Sequence, residues 1–168
     1  LLSVISNAAK ESLGIEPCEP YAKSLIARGY NIFPDIISAI PNYGDGVDLV
    51  LSSQVIEHVE NPKLFLSEIY QLLNNNGMLI ISTPNRNDIL NSLLPDFNSF
   101  FYRTQHRWYF DEESILNCIK LTDFKVKKVE YIHRYGMANA IEWLRIKKPT
   151  GNDRIKQISP LADSLWSA

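Results

Sequence analysis

Apolar positions recur along this chain in two rhythms, one helical and one extended, and the switches between them mark its elements. Leu1, Leu2, Val4, Ile5, Ala8 and Ala9 fall mostly on one helical face and predict a first helix. Ser12 to Glu16 is a short apolar run ending in an acid, which reads as a strand. Pro17 and Pro20 punctuate it. Pro20 suits a first helical position, so a helix is expected over Tyr21 to Arg28, closed by Gly29. Tyr30 to Phe33 reads as the next strand, and Pro41 to Gly46 as a turn-rich loop. Val47 to Ser53 is almost continuously apolar, the pattern of a strand covered on both faces. Asn61-Pro62 is a strong helix start, with Leu64, Phe65, Ile69, Leu72 and Leu73 as the expected buried face. Asn74-Asn75-Asn76-Gly77 should end that helix, since these residues tolerate positive φ. Met78 to Ser82 is a further buried strand, stopped by Pro84.

Such alternation implies an α/β sandwich with a mostly parallel sheet. Beyond Asn85 the rhythm breaks into a long, aromatic and irregular stretch that lasts to Tyr109. Asp111 is placed to cap a helix running to about Leu121. Phe124 to Ile132 has a strand-like character with lysines on one side. Met137 to Ile146 reads as a helix that sends Trp143 into a core, with a substrate lid or a dimer contact as the lesser alternative. Lys148 to Pro160 is polar and loop-like, and Asp163 to Ala168 reads as a closing strand.

Composition narrows the function classes. The 168 residues suit one domain spanning 1–168. A net charge of -2 gives no reason to expect a nucleic-acid partner, and the late basic residues read as a solvated face. Two cysteines, Cys18 and Cys118, without paired spacing argue against a disulfide framework or a zinc site, so no metal is expected. No apolar run is long enough for a membrane span, and the apolar start lacks the flanks of a signal peptide. These features point to a reducing, cytoplasmic setting. The first residue is not Met, which leads to the expectation that something stands upstream.

In open α/β sheets ligands bind beyond the carboxyl ends of the strands. Four stretches fall there: Glu16-Pro17, Pro34-Asp35, Ser53 through His58, and Thr83-Pro84-Asn85. Glu16 stands out, because a carboxylate at such a strand end accepts hydrogen bonds from both hydroxyls of a ribose. A surface glutamate before a turn is the plain alternative.

The segment Asp48-Leu49-Val50-Leu51-Ser52-Ser53-Gln54-Val55-Ile56-Glu57-His58-Val59, taken with Gly14-Ile15-Glu16-Pro17 and Asn76-Gly77-Met78-Leu79-Ile80-Ile81-Ser82-Thr83-Pro84-Asn85, resembles the class I S-adenosylmethionine-dependent methyltransferases. The resemblance runs from Leu1 to about Lys128. It is nearest the branch whose small-molecule members act on quinones, sugars and similar acceptors. It implies a Rossmann-like sandwich with an antiparallel final strand and S-adenosyl-L-methionine as cofactor. Glu16 would hold the cofactor ribose. Pro17 and Cys18 would lie against the adenine. Asp35 would accept from the adenine amino group, with Ile36 beside it. Ser53 and Gln54 would face the methionine end, and His58 the mouth of the site. The plain alternatives are a turn residue for Asp35 and helix-end packing for His58.

Phe100 through Phe110 resembles the His-x-x-Tyr-Phe segment of sugar-modifying members, so residues 86–110 are expected to form an acceptor-binding loop. Trp108 and Tyr109 would stack on an acceptor and Arg103 or Arg107 would hold an anionic group. An aromatic plug under the loop is the alternative for Trp108 and Phe110. His106 and His58 are the candidate bases for an acceptor hydroxyl, and His133 reads as a surface residue.

The family's first strand and glycine-rich loop have no counterpart before the first helix, where none of the seven glycines falls. The missing strand would lie between those at 12–16 and 47–53. The leading expectation is a methyltransferase acting on a small polar or saccharide acceptor, with a homodimer left open. A degenerate, cofactor-dead interaction module is the alternative. A nicotinamide-dependent oxidoreductase is a third reading, opposed by the Glu-His-Val segment and the expected closing strand.

Overall fold

The computed structural model describes residues 2–5, 7–94, 96–132 and 137–147. The expected loop at 148–160, the closing antiparallel strand at 163–168 and His133 lie outside the described residues. The chain divides into two compact units, Leu1–Ser53 with Lys63–Ile81, and Gln54–Pro62 with Ser82–Ala168.

The first unit carries the α/β pattern. A short helix α1 (Leu2–Ile5) is shorter than the expected one; Ala8 and Ala9 both donate to the Ile5 carbonyl and close it as a turn. Strand β1 (Leu13–Ile15) pairs in parallel with β2 (Asn31–Phe33), Gly14 opposite Ile32. Between them runs α2 (Glu19–Ala27), with Pro20 in its first turn and Gly29 at φ 86° just beyond its end. That is the left-handed conformation which glycine adopts without strain.

Where a loop was expected from Pro41, the chain forms α3 (Ile36–Tyr43) with Pro41 inside it. The Asp35 side chain accepts from the Ser38 N–H at 2.7 Å and starts the helix, while Ile36 and Ala39 are buried. Pro41 removes one hydrogen bond, to Ile37, near the end of a short helix. The cap and the buried stripe outweigh that loss.

Strand β3 (Val47–Ser53), helix α4 (Pro62–Leu72) and strand β4 (Leu73–Ser82) make the next crossover. Asn74 donates to the Asp48 carboxylate at one end of the strand pair, and Gln54 N–H donates to the Ser82 carbonyl at the other. The two strands therefore run in the same direction. Along α4 the buried positions are Pro62, Leu66, Ile69 and Leu72, with Leu73 following in β4. Leu64 is 54% exposed, contrary to expectation, because it lies two residues from the i, i+4, i+7 stripe and points away. Asn74 to Gly77 belong to β4 and none takes positive φ. Glycine stands at 77 for want of room: a Cβ there would meet Leu73 Cδ2 at 2.8 Å.

Sheet pairing is split: β1 pairs with β2, and β3 with β4. Among the described residues no ladder joins β1 to β3. The expectation that β3 is covered on both faces fails, since Leu49 is exposed on β3, and Met78 and Ile80 on β4.

The second unit is helical and irregular. Helices α5 (Ile89–Leu93), α6 (Phe97–Phe101) and α8 (Met137–Ile146) share a core of Leu90, Leu94, Phe97, Ala140 and Trp143, the last 0% exposed. The reading of Trp143 as a core residue is thus correct. Helix α7 (Glu112–Lys120) begins at Asp111, which accepts from the Ser114 N–H while Ser114 Oγ accepts from the Asp111 N–H. The lysine-rich stretch after it, residues 124–132, forms no strand. Its expected alternation has no ladder partner among the described residues.

Candidate functional site

Two groups of candidate residues stand out, one in each unit. In the first, Glu16 and Asp35 stand at the carboxyl ends of adjacent parallel strands. The Glu16 N–H donates to the Phe33 carbonyl at 2.9 Å, so β1 and β2 end together. The chain turns at once into α2, and the Cys18 N–H donates to Glu16 Oε1 at 2.9 Å. That bond fixes the carboxylate at the strand end and leaves Oε2 to face other donors. A ribose diol is a fitting partner for such an acceptor. Asp35 spends Oδ1 on the Ser38 N–H, and this bond holds its carboxyl below the usual aspartate range. Pro17 is exposed beside Glu16, whereas Ile36 is buried. Ser53, the last residue of β3, is exposed.

In the second unit, residues 54–59 leave β3 and meet the loop 103–110. Gln54 turns the corner at φ 57°, an uncommon conformation for a residue with a Cβ. Arg107 and Trp108 both donate their N–H to the Glu57 carbonyl, at 2.8 and 3.1 Å. The Trp108 indole donates to the Val59 carbonyl at 2.9 Å. His58 Nδ1 lies 2.9 Å from the Gln105 carbonyl. A carbonyl only accepts, so Nδ1 carries a proton, and in the neutral ring the lone pair falls to Nε2. These contacts bring His58 and His106, far apart in sequence, to a ring separation of 4.8 Å, edge to face.

Glu57 completes this group and was not among the sequence candidates. It is 1% exposed. Thr83 donates to its Oε2 at 3.1 Å, but Oε1 is buried without a hydrogen-bond partner and lies 4.0 Å from His58 Nε2. His106 Nδ1 is likewise buried without a partner. Burial, and then the neighbouring His58, hold the His106 ring below the ordinary histidine range. The signal in the sequence was an acid inside the apolar run Val55-Ile56-Glu57-His58-Val59.

The remaining loop residues divide. Phe110 is buried, as the plug alternative has it, and bridges to Asn85. Trp108 is 43% exposed, with its indole N–H tied down. The Tyr109 hydroxyl donates to the Arg103 carbonyl and accepts from the Arg103 N–H, both at 2.7 Å, so it braces the loop. Arg107 is exposed, 4.0 Å from Glu60. A hollow of about 430 Å³ lies elsewhere in this unit, between Asn85 and α7; neither histidine nor Glu57 lines it.

No helix of the described residues is long and apolar enough to cross a membrane. The family described as a methyltransferase domain matches residues 4–129. A probable S-adenosylmethionine-dependent methyltransferase of Mycolicibacterium smegmatis is 28% identical over 89 residues, 49% of this chain and 33% of that protein. A ubiquinone biosynthesis O-methyltransferase of a Ruegeria species is 43% identical over 49 residues, 29% of this chain and 20% of that protein. The chain thus spans a third or less of these curated relatives. In three dimensions it resembles a SAM-dependent methyltransferase from Archaeoglobus fulgidus, with a TM-score of 0.64 and 19% identity over 99% of this chain and 70% of that one. That likeness establishes a Rossmann-like α/β fold. With the family match covering most of its length, the chain belongs to the class I S-adenosylmethionine-dependent methyltransferase family.

Proposed function

We propose that the protein transfers a methyl group from S-adenosylmethionine to a hydroxyl of a small polar acceptor, with saccharides as the substrate class. The observation that carries this reading is the Glu16 carboxylate, fixed by the Cys18 N–H at the end of β1 beside the end of β2. Strand ends of this kind are where open α/β sheets take nucleosides. Glu16 would hold the ribose, Asp35 and Ile36 the adenine edge, and Ser53 and Gln54 the methionine end. The cofactor supplies a methyl group already activated by a sulfonium charge.

What remains for the protein is to orient the acceptor, exclude water and receive a proton. The loop 103–110 supplies the means. Trp108 offers an exposed indole face to a sugar ring, and Arg103 and Arg107 offer charge to an anionic substituent. A neutral His106 ring can accept the hydroxyl proton, with His58 beside it.

Calorimetry with S-adenosylhomocysteine on the full-length protein tests the cofactor half. Glu16→Ala should weaken binding by about 1.5–3 kcal/mol, the worth of a hydrogen bond to a charged group. Unchanged affinity would remove Glu16 from the site, and no binding by the parent protein would favour the cofactor-dead module. The acceptor half is tested by His106→Ala, which should lower turnover while cofactor binding stays intact. Loss of the folded state instead would make His106 a packing residue.

A further inference from the structure

We propose that Glu57, His58 and His106 form a binding site for a divalent transition-metal ion, with Zn²⁺ as its simplest occupant. One ligand atom from each of the three lies within 4.8 Å of the other two. Two imidazole nitrogens and one carboxylate oxygen are the donor set that zinc takes in catalytic sites, where a fourth position stays open. The expectation of no metal weighed cysteine spacing alone and did not see this group, which only the pairing of the 103–110 loop with residues 57–59 assembles.

Three further observations point to a ligand. Glu57 Oε1 is buried without a hydrogen-bond partner in a side chain 1% exposed. A buried, unpaired carboxylate oxygen is costly unless something of positive charge meets it. His106 Nδ1 is buried without a partner too. His58, for its part, is already arranged as a ligand: the Gln105 carbonyl accepts from its Nδ1–H, and in the neutral ring this puts the Nε2 lone pair on the side of Glu57. Metal-bound histidines are oriented by such a second hydrogen bond. Thr83 holds the other oxygen of Glu57 in the same manner.

Ligands at about 2.0–2.1 Å from a tetrahedral zinc ion stand about 3.3 Å apart. The cluster must therefore contract somewhat. The His58 side chain, 41% exposed, is the one with room to swing. With the ion bound, both rings are ligands and neither serves as a base. An acceptor hydroxyl in the open position would then lose its proton to water more readily, its electron pair staying on oxygen. That last role rests on the methyl-transfer reading; ion binding does not.

The full-length protein, stripped with a chelator, is titrated with Zn²⁺ against a chromophoric competitor, and with Co²⁺ followed by its visible absorption. One ion per chain is expected, with a Co²⁺ band of low coordination number. His58→Asn and His106→Asn should each weaken Zn²⁺ at least tenfold and abolish the band. Glu57→Gln keeps the Thr83 contact and should do the same. Circular dichroism checks that each variant is folded. Because His58 is exposed, its variant serves even if the other two do not fold. No stoichiometric binding, or affinity unchanged in His58→Asn, would overturn the site. S-adenosylhomocysteine binding without zinc binding would sink this inference alone. Zinc binding without S-adenosylhomocysteine binding would sink only the methyl-transfer reading.

Discussion

Gln54 sits at φ 57° and donates its N–H to the Ser82 carbonyl, so the turn out of β3 is held in a conformation that disfavours a Cβ. The left-handed region costs an ordinary residue about 1–2 kcal/mol, and a β-branched one fits it worst. Gln54 already bears that cost, so Gln54→Val should lower stability by the added clash of a β-branched side chain, whereas Gln54→Gly, which relieves the strain at an entropic cost of about 0.5–1 kcal/mol, should hold or slightly raise the thermal midpoint. Equal midpoints for the two variants would mean that the turn relaxes. If Gln54 also faces the methionine end of the cofactor, the glycine variant should keep its fold and bind S-adenosylhomocysteine more weakly. At this scale the sequence was only half legible. Glu16 was readable because its position follows from a strand run and a proline. Glu57 was not, because its partners Thr83, His58 and His106 come together through a loop without regular periodicity.

Helix starts were the most readable elements, and α7 shows why. Its boundary is written locally, in Asp111 and Ser114, each serving the other's backbone. The Ser114 hydrogen bonds lower the Asp111 carboxyl from its ordinary value, with Arg86 adding to the effect. A carboxyl lowered in the folded state stabilises above its unfolded pKa and loses that contribution as pH falls through the folded one. Asp111→Asn should therefore melt earlier than the parent protein at neutral pH, and the gap should close below about pH 4. A gap independent of pH would show that the cap works through geometry and not charge.

Helix α3 was illegible for a complementary reason. Pro41 was weighed as a breaker, while the Asp35 cap and the buried Ile36 and Ala39 decide the outcome. In α8 the pattern sufficed to find the helix, and tertiary packing sets its importance. Trp143 lies among Leu90, Leu94, Phe97 and Ala140, so Trp143→Ala should cost about 3–5 kcal/mol, read from denaturant unfolding. A loss under about 1 kcal/mol would mean that the cluster refills the space.

For the whole molecule, the α/β class was legible because alternation of helix and strand constrains architecture more than any single element does. How the strands pair, β1 with β2 and β3 with β4, was not. Neither were the exposed faces of the strands, because an apolar run looks the same whether its neighbours are present or not. That exposure has a consequence for the material in the tube. Apolar Leu49, Met78 and Ile80 stand exposed along the β3–β4 pair, and grouped exposed apolar side chains favour association between molecules. Association through this face, and not unfolding of either core, would then limit the shelf life of concentrated solutions.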